Sequence, residues 1–334
     1  MCGTGCSGTQ AVRHGAMKNN VLSLTAVASD GTIFRTGGRA RKSVAGLDLT
    51  SLLIGSEGTL GVVTEAVLRL APLPAASVVI VTPFATVRAA CSAVALAARA
   101  GLPLAAAELL DGRMAGVVRA QGGGQPELLP AGAVPHVLWR LSGGAGAVEE
   151  AAAALQAVAV GAGALAWQRS LSPEQAAELW EARKAALFSV QAAHAECSVL
   201  TTDVCVPVSR LPELLENFEA HYAALAGGEA GGSQGLLPAA YAVAHAGDGN
   251  AHHFLAFQAG TAQESQAKQL ADWLAGEAIK LEGTCTGEHG VGTGKRKYLV
   301  KELGEGNALV AAAIKHALDP SGVLNPGKKL AICR

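Results

Sequence analysis

Two histidines flanking a tight turn give the sharpest chemical signal in the chain. In His245-Ala246-Gly247-Asp248-Gly249-Asn250-Ala251-His252 a strand ends in an imidazole, Gly-Asp-Gly-Asn reverses the chain, and a second imidazole opens the return strand. Two side chains so placed can converge on one metal ion; the alternative is a pair of solvated turn histidines. His253 alternates to the opposite face of the strand and is not counted with them. A second cluster, Gly287-Glu288-His289-Gly290, lies in a glycine-dense loop over 284–297. Glu288 can act as the carboxylate of a two-histidine, one-carboxylate site, which suits zinc, manganese or iron(II) with open positions. Next to such a metal, His289 would stay neutral and serve as general base. A glycine turn with solvated polar residues is the competing reading.

Arg183 stands out by its position. The helix that begins after Ser172-Pro173-Glu174-Gln175, a capping-box sequence, carries an apolar stripe through Ala176, Leu179, Trp180, Ala186, Leu187 and Val190. Arg183 falls inside that stripe. A cation on an inward face needs an anion, either a core glutamate or a small carboxylate ligand held by the guanidinium fork. Two glycine motifs do not qualify as phosphate sites. Gly3-Thr4-Gly5-Cys6-Ser7-Gly8 lacks the strand before it and the helix after it, and Gly290-Val291-Gly292-Thr293-Gly294-Lys295 is one residue short of a P-loop, with Arg296 where Ser or Thr is needed.

The elements that must position these residues fall into three stretches. Over 1–75 the pattern is strands and turns: a strand at 21–28, a hairpin turn at Asp30-Gly31, a second strand at 32–36, and a strand at 62–70 after the loop Gly55-Ser56-Glu57-Gly58-Thr59-Leu60-Gly61. Over 76–283 strand and helix patterns alternate, with strands at 78–81, 137–141, 165–168, 201–206, 241–245 and 253–258. Helices are expected at 86–100, 148–160, after Ser172 and at 263–282, with loops at 121–135 and 227–235. That alternation suggests an α+β layer with helices on one face of a sheet. A last helix at 305–318 ends at Asp319-Pro320-Ser321-Gly322.

Composition bounds the class. With 334 residues, half of them hydrophobic and 16% charged, the chain can build a large core and is expected to form more than one domain. A net charge of −1 without a basic stripe argues against nucleic acid as a partner. No apolar run reaches the ~18 residues of a membrane helix, and no signal peptide is visible. Seven scattered cysteines without a C-x-x-C pair point to a reducing compartment. Metal-assisted chemistry on a small carboxylate fits all of this, by oxidation or by hydrolysis.

Several stretches together resemble the FAD-linked oxidases of the vanillyl-alcohol-oxidase type that oxidise D-2-hydroxy acids. Within them the chain looks most like the mitochondrial, cytochrome-linked D-lactate dehydrogenases. The matching residues are 7–15, 42–46, 55–61, 179–183, 202–207, 245–252, 283–290 and 325–328, in family order. The resemblance implies an α+β fold: a partial flavin-binding subdomain (1–75), a ferredoxin-like α+β substrate-binding cap (76–283), and a C-terminal helical segment (284–334) that returns to the flavin with the catalytic loop. It implies FAD along Ser7, Gly8, Gly55, Ser56, Glu57, Gly58, Gly61, Val63 and Asn325. It implies one divalent metal, zinc or manganese, on His245, His252 and Glu288, with His289 as the base and Arg183 as the substrate-carboxylate anchor. D-lactate is the expected substrate, with D-2-hydroxyglutarate or glycolate as alternatives, cytochrome c the expected acceptor, and the mitochondrion the expected location. Gln10 stands where the family pattern has Asn. Family members begin with a further flavin subdomain, so the chain is expected to be a fragment. A metal-dependent hydrolase and a cofactor-free remnant are the readings from other classes.

Overall fold

The computed structural model describes residues 1–40, 42–121, 129, 132–227 and 237–330. The chain divides into two compact units, one formed by Met1–Pro72 with Thr284–Arg334, the other by Leu73–Gly283.

In the first unit, strands β1 (Val21–Val27), β2 (Ile33–Arg35) and β3 (Val62–Leu68) form an antiparallel sheet in the order β2-β1-β3. The Asp30-Gly31 turn sets the hairpin, pairing Val27 with Ile33. Leu24, Ala26, Leu53 and Leu60 pack as a small core beneath it. Contrary to the sequence reading, a helical turn (Ala11–His14) does follow the first glycine motif; at four residues it is too short to act as a dinucleotide helix. The last helix, Leu299–Leu318, starts earlier than expected and kinks at Gly304 (φ 80°), so the expected 305–318 segment is its second half.

The second unit is built on an eight-stranded antiparallel sheet. Its strands are β4 (Ala76–Pro83), β5 (Leu104–Leu110), β6 (His136–Gly143), β7 (Gln168–Arg169), β8 (Ser198–Thr201), β9 (Val204–Cys205), β10 (Ala239–His245) and β11 (Asn250–Phe257). The order is β7-β4-β6-β5-β10-β11-β8, with β9 also on β11. The sequence reading placed helices on one face. They cover both: β5 and β11 are buried along their whole length, which requires a layer on each side. One layer holds Gly112–Ala120, Pro173–Lys184 and Ala186–Ala193, whose core includes Val81, Leu110, Met114, Leu179, Trp180 and Val243. The other holds Val87–Arg99, Ala145–Gly161, Leu211–Ala226 and Ala262–Lys280.

β5 is the element missing from the sequence reading. Leu104-Ala105-Ala106-Ala107-Glu108-Leu109-Leu110 is rich in helix formers and shows no alternation, because both its faces are buried. The expected strand at 165–168 shrinks to the two residues of β7, and the stretch at 201–206 splits into β8 and β9 around Thr202-Asp203. Most of the loops expected at 121–135 and 227–235 lies outside the described residues. No described helix is long and apolar enough to cross a membrane, and the six described cysteines are free thiols.

Candidate active site

In the Leu73–Gly283 unit, sheet register assembles a buried polar group. His245 pairs directly with Glu108 of β5 and Val243 with His252 of β11, so Glu108, His245 and His252 share one face. The Gly247-Asp248-Gly249 turn between the histidines tolerates no larger residue at Gly249: its φ is 84°, and a Cβ there would lie 2.0 Å from the Val206 carbonyl oxygen.

Both imidazoles are oriented through Nδ1. His245 Nδ1 lies 2.8 and 2.9 Å from the two carboxylate oxygens of Glu108, and His252 Nδ1 lies 3.0 Å from the Thr202 carbonyl oxygen. Carboxylates and carbonyls only accept, so each Nδ1 carries a proton, and in the neutral ring Nε2 is then the nitrogen with the lone pair. That is the tautomer a metal ligand needs, with the outer hydrogen bond that normally accompanies it. The rings stand edge-on, centroids 5.4 Å apart. Asp203 is buried beside His252, 3.9 Å from its Nδ1, and accepts from Asn250 Nδ2 at 2.9 Å. The donor set fits a divalent metal with nitrogen preference.

Arg183 comes to the same face from helix Pro173–Lys184, and the core-glutamate alternative is realised. Its Nη2 lies 2.6 Å from Glu108 Oε2, with Arg183 7% and Glu108 0% exposed. The Arg183 Nε is buried and has no partner among the described residues. Glu108 is therefore the functional side chain missed with β5. Its one signal in the sequence was the anion that Arg183 demanded.

His253 points to the other face, as strand alternation requires. It packs on Phe218 with ring centroids 3.9 Å apart, and burial, reinforced by Arg113 and His252, pushes its pKa down to about 3.

The Met1–Pro72 and Thr284–Arg334 unit holds the remaining predicted residues in a loop frame. Glu57, in a left-handed turn (φ 54°), accepts from the Val291 and Gly292 amides at 2.7 and 2.8 Å, and its carbonyl accepts from Asn325 Nδ2. A Cβ on Gly290 would meet Glu57 Oε1 at 2.9 Å. Thr286 Oγ1 closes the turn over Glu288 and His289, donating to the Gly290 carbonyl at 2.9 Å and accepting from its amide at 3.1 Å. Ser7 Oγ donates to Glu288 Oε2 at 3.0 Å; His289 Nε2 is 3.8 Å from Glu288 Oε1, and its side chain is half exposed. Ser56, Gly58, Gly61, Val63 and Asn325 line one cleft, where small residues and backbone leave room for a flat ring. Gly8 and Gly55 are not among its lining residues. Burial, and then the Glu302 carboxylate, push the Cys285 thiol up to about 12, which disfavours the reactive thiolate.

The family description "FAD linked oxidases, C-terminal domain" matches residues 73–329. The chain belongs to this family. Among its relatives is the mitochondrial "D-lactate dehydrogenase [cytochrome]" of Arabidopsis thaliana, 39% identical over 98% of this chain and 55% of that protein. Another is the "Glycolate oxidase subunit GlcD" of Bacillus subtilis, 32% identical over 97% of this chain and 66% of that protein. The chain spans about half the length of the Arabidopsis relative. Of solved structures, an alkyldihydroxyacetonephosphate synthase superposes with a TM-score of 0.68 at 18% identity, covering 97% of this chain and 56% of that one, which shows a shared fold. For an FAD-linked oxidase the hydrolase reading loses its ground.

Proposed function

We propose that this FAD-linked oxidase chain acts in the oxidation of D-lactate to pyruvate, with His245, His252 and Glu288 holding one divalent metal, zinc or manganese. The observation that carries the metal reading is the matched orientation of the two histidines, each donating its Nδ1 proton to a fixed acceptor. The substrate follows from the 39% identical relative named for D-lactate. When bound, the metal would polarise the 2-hydroxyl and FAD would supply the acceptor for the C2 hydride. The chain's own residues then have three tasks. Arg183 holds the substrate carboxylate with its guanidinium. His289 takes the 2-hydroxyl proton on a ring nitrogen, its exposure allowing the proton to pass on to water. Glu57, by fixing the Val291 and Gly292 amides, keeps the loop of Glu288 and His289 in one conformation. The cleft lined by Ser56, Gly58, Gly61, Val63 and Asn325 is the proposed contact with the flavin, with Ser7, Gly8, Gly55 and Glu57 alongside. Cytochrome c as acceptor and a mitochondrial location are proposed from the same relative's name.

Glycolate is the second reading, carried by the relative named for glycolate oxidase. The test is the visible flavin spectrum of the purified chain with FAD and Mn2+ in excess, followed anaerobically after substrate is added. Bleaching by D-lactate and not L-lactate is expected. Bleaching by glycolate alone would shift the substrate, and no bleaching by any 2-hydroxy acid would overturn the proposal.

A further inference from the structure

We propose that Glu108 is a positioning residue that serves two functional groups at once, orienting the metal-binding His245 and holding one donor of Arg183 while another is left for substrate. This rests on the metal and substrate roles proposed above.

The geometry is that of a single buried carboxylate with two cationic or donor neighbours. Both Glu108 oxygens lie within 2.9 Å of His245 Nδ1, and Oε2 also lies 2.6 Å from Arg183 Nη2. Glu108 has no exposed surface, and its cross-strand pairing with His245 is set by backbone register rather than by side-chain choice. An acceptor on Nδ1 fixes the tautomer and ring plane of a metal-binding imidazole and makes Nε2 more basic. For the guanidinium the effect is steric and directional. With Nη2 committed to Glu108, the buried Nε, which has no partner among the described residues, is left as a donor that Glu108 does not use. A substrate carboxylate received on the Nε side would satisfy it. Glu108 touches neither substrate nor metal in this scheme, and neutralises a guanidinium that would otherwise be buried alone.

The test uses the full chain and three variants: Glu108→Gln, Arg183→Met, and the double Glu108→Gln/Arg183→Met. Gln is close in shape to Glu but uncharged, and its NH2 group donates where the second carboxylate oxygen accepts, so one neutral oxygen is left to serve both His245 and Arg183. Titration with Mn2+ alone, followed calorimetrically, is the readout that needs no turnover. Glu108→Gln is expected to weaken Mn2+ binding by about 10–100-fold and to raise the KM for D-lactate. Arg183→Met, which leaves the Glu108–His245 bond in place, is expected to hold Mn2+ affinity within about threefold while raising KM. If Glu108→Gln fails to fold because it strands the guanidinium, the double variant removes that cation, and it is expected to fold and still bind Mn2+ about tenfold or more weakly. Wild-type Mn2+ affinity in Glu108→Gln or in the double variant would overturn the role of Glu108 and leave the metal site intact. No Mn2+ or Zn2+ binding by the wild-type chain would instead overturn the metal reading on which it stands.

Discussion

The two faces of the eight-stranded sheet treat neighbouring histidines in opposite ways. His252 faces the layer of helix Pro173–Lys184, where Thr202, Asp203, His245, Glu108 and Arg183 form a set of polar groups that answer one another. His253, one residue on, faces the layer of helix Leu211–Ala226 against Phe218, and neither of its ring nitrogens has a partner among the described residues. Burial is nearly equal, 5% and 1% exposed. What separates the two is company, and a ligand site needs the acceptor behind the ring as much as the ring itself.

Breaking the polar face should have the largest effect. Glu108→Leu would leave the Arg183 guanidinium buried without its anion, and a loss of about 3–5 kcal/mol is expected, measured by urea unfolding. Adding Arg183→Met should recover most of it, because replacing both partners of a buried pair by apolar groups is often close to neutral. If the double variant were no more stable than the single, the pair would not be the source.

The apolar face offers a subtler contrast. The folded-state pKa of His253 is depressed from 6.5 to about 3, so the unfolded chain takes up this proton first as the medium is acidified. Its contribution to stability is therefore complete above pH 6.5 and is lost as pH falls from 6.5 toward 3. His253→Leu should remove up to ~1.4 kcal/mol per pH unit of slope in that window, seen as the difference between wild-type and variant unfolding profiles. Parallel profiles would mean that His253 is not sealed from solvent. The smallest expected effect is that of the same variant at pH 7.5: within about 1 kcal/mol of wild type, since no hydrogen bond is lost when an unpartnered polar group is replaced by an apolar one.

How far the sequence could be read follows the same division. The turn from His245 to His252 was legible because Gly-Asp-Gly-Asn has one structural use, and strand alternation sent His253 to the other side. Arg183 was legible as a cation in need of an anion. Glu108 was not, because it sits in an alanine-rich strand whose two buried faces erase the period-two pattern and whose composition favours a helix. Helices on both faces were missed for the same reason: a strand buried on both sides gives no sign of which residues face which layer. In the other unit, the Gly55–Gly61 stretch was legible by its glycines, while the use of the Glu57 carboxylate on the Val291 and Gly292 amides depends on a contact across more than 230 residues that no local pattern records.

The most direct measurement is the Mn2+ stoichiometry of the wild-type chain beside His252→Ala and His253→Leu, taken by calorimetry on protein first stripped with a chelator. One equivalent bound by wild type and by His253→Leu, and none by His252→Ala, is the predicted result. Equal binding by all three, or loss in His253→Leu with retention in His252→Ala, would contradict the assignment of the metal to the polar face of the sheet.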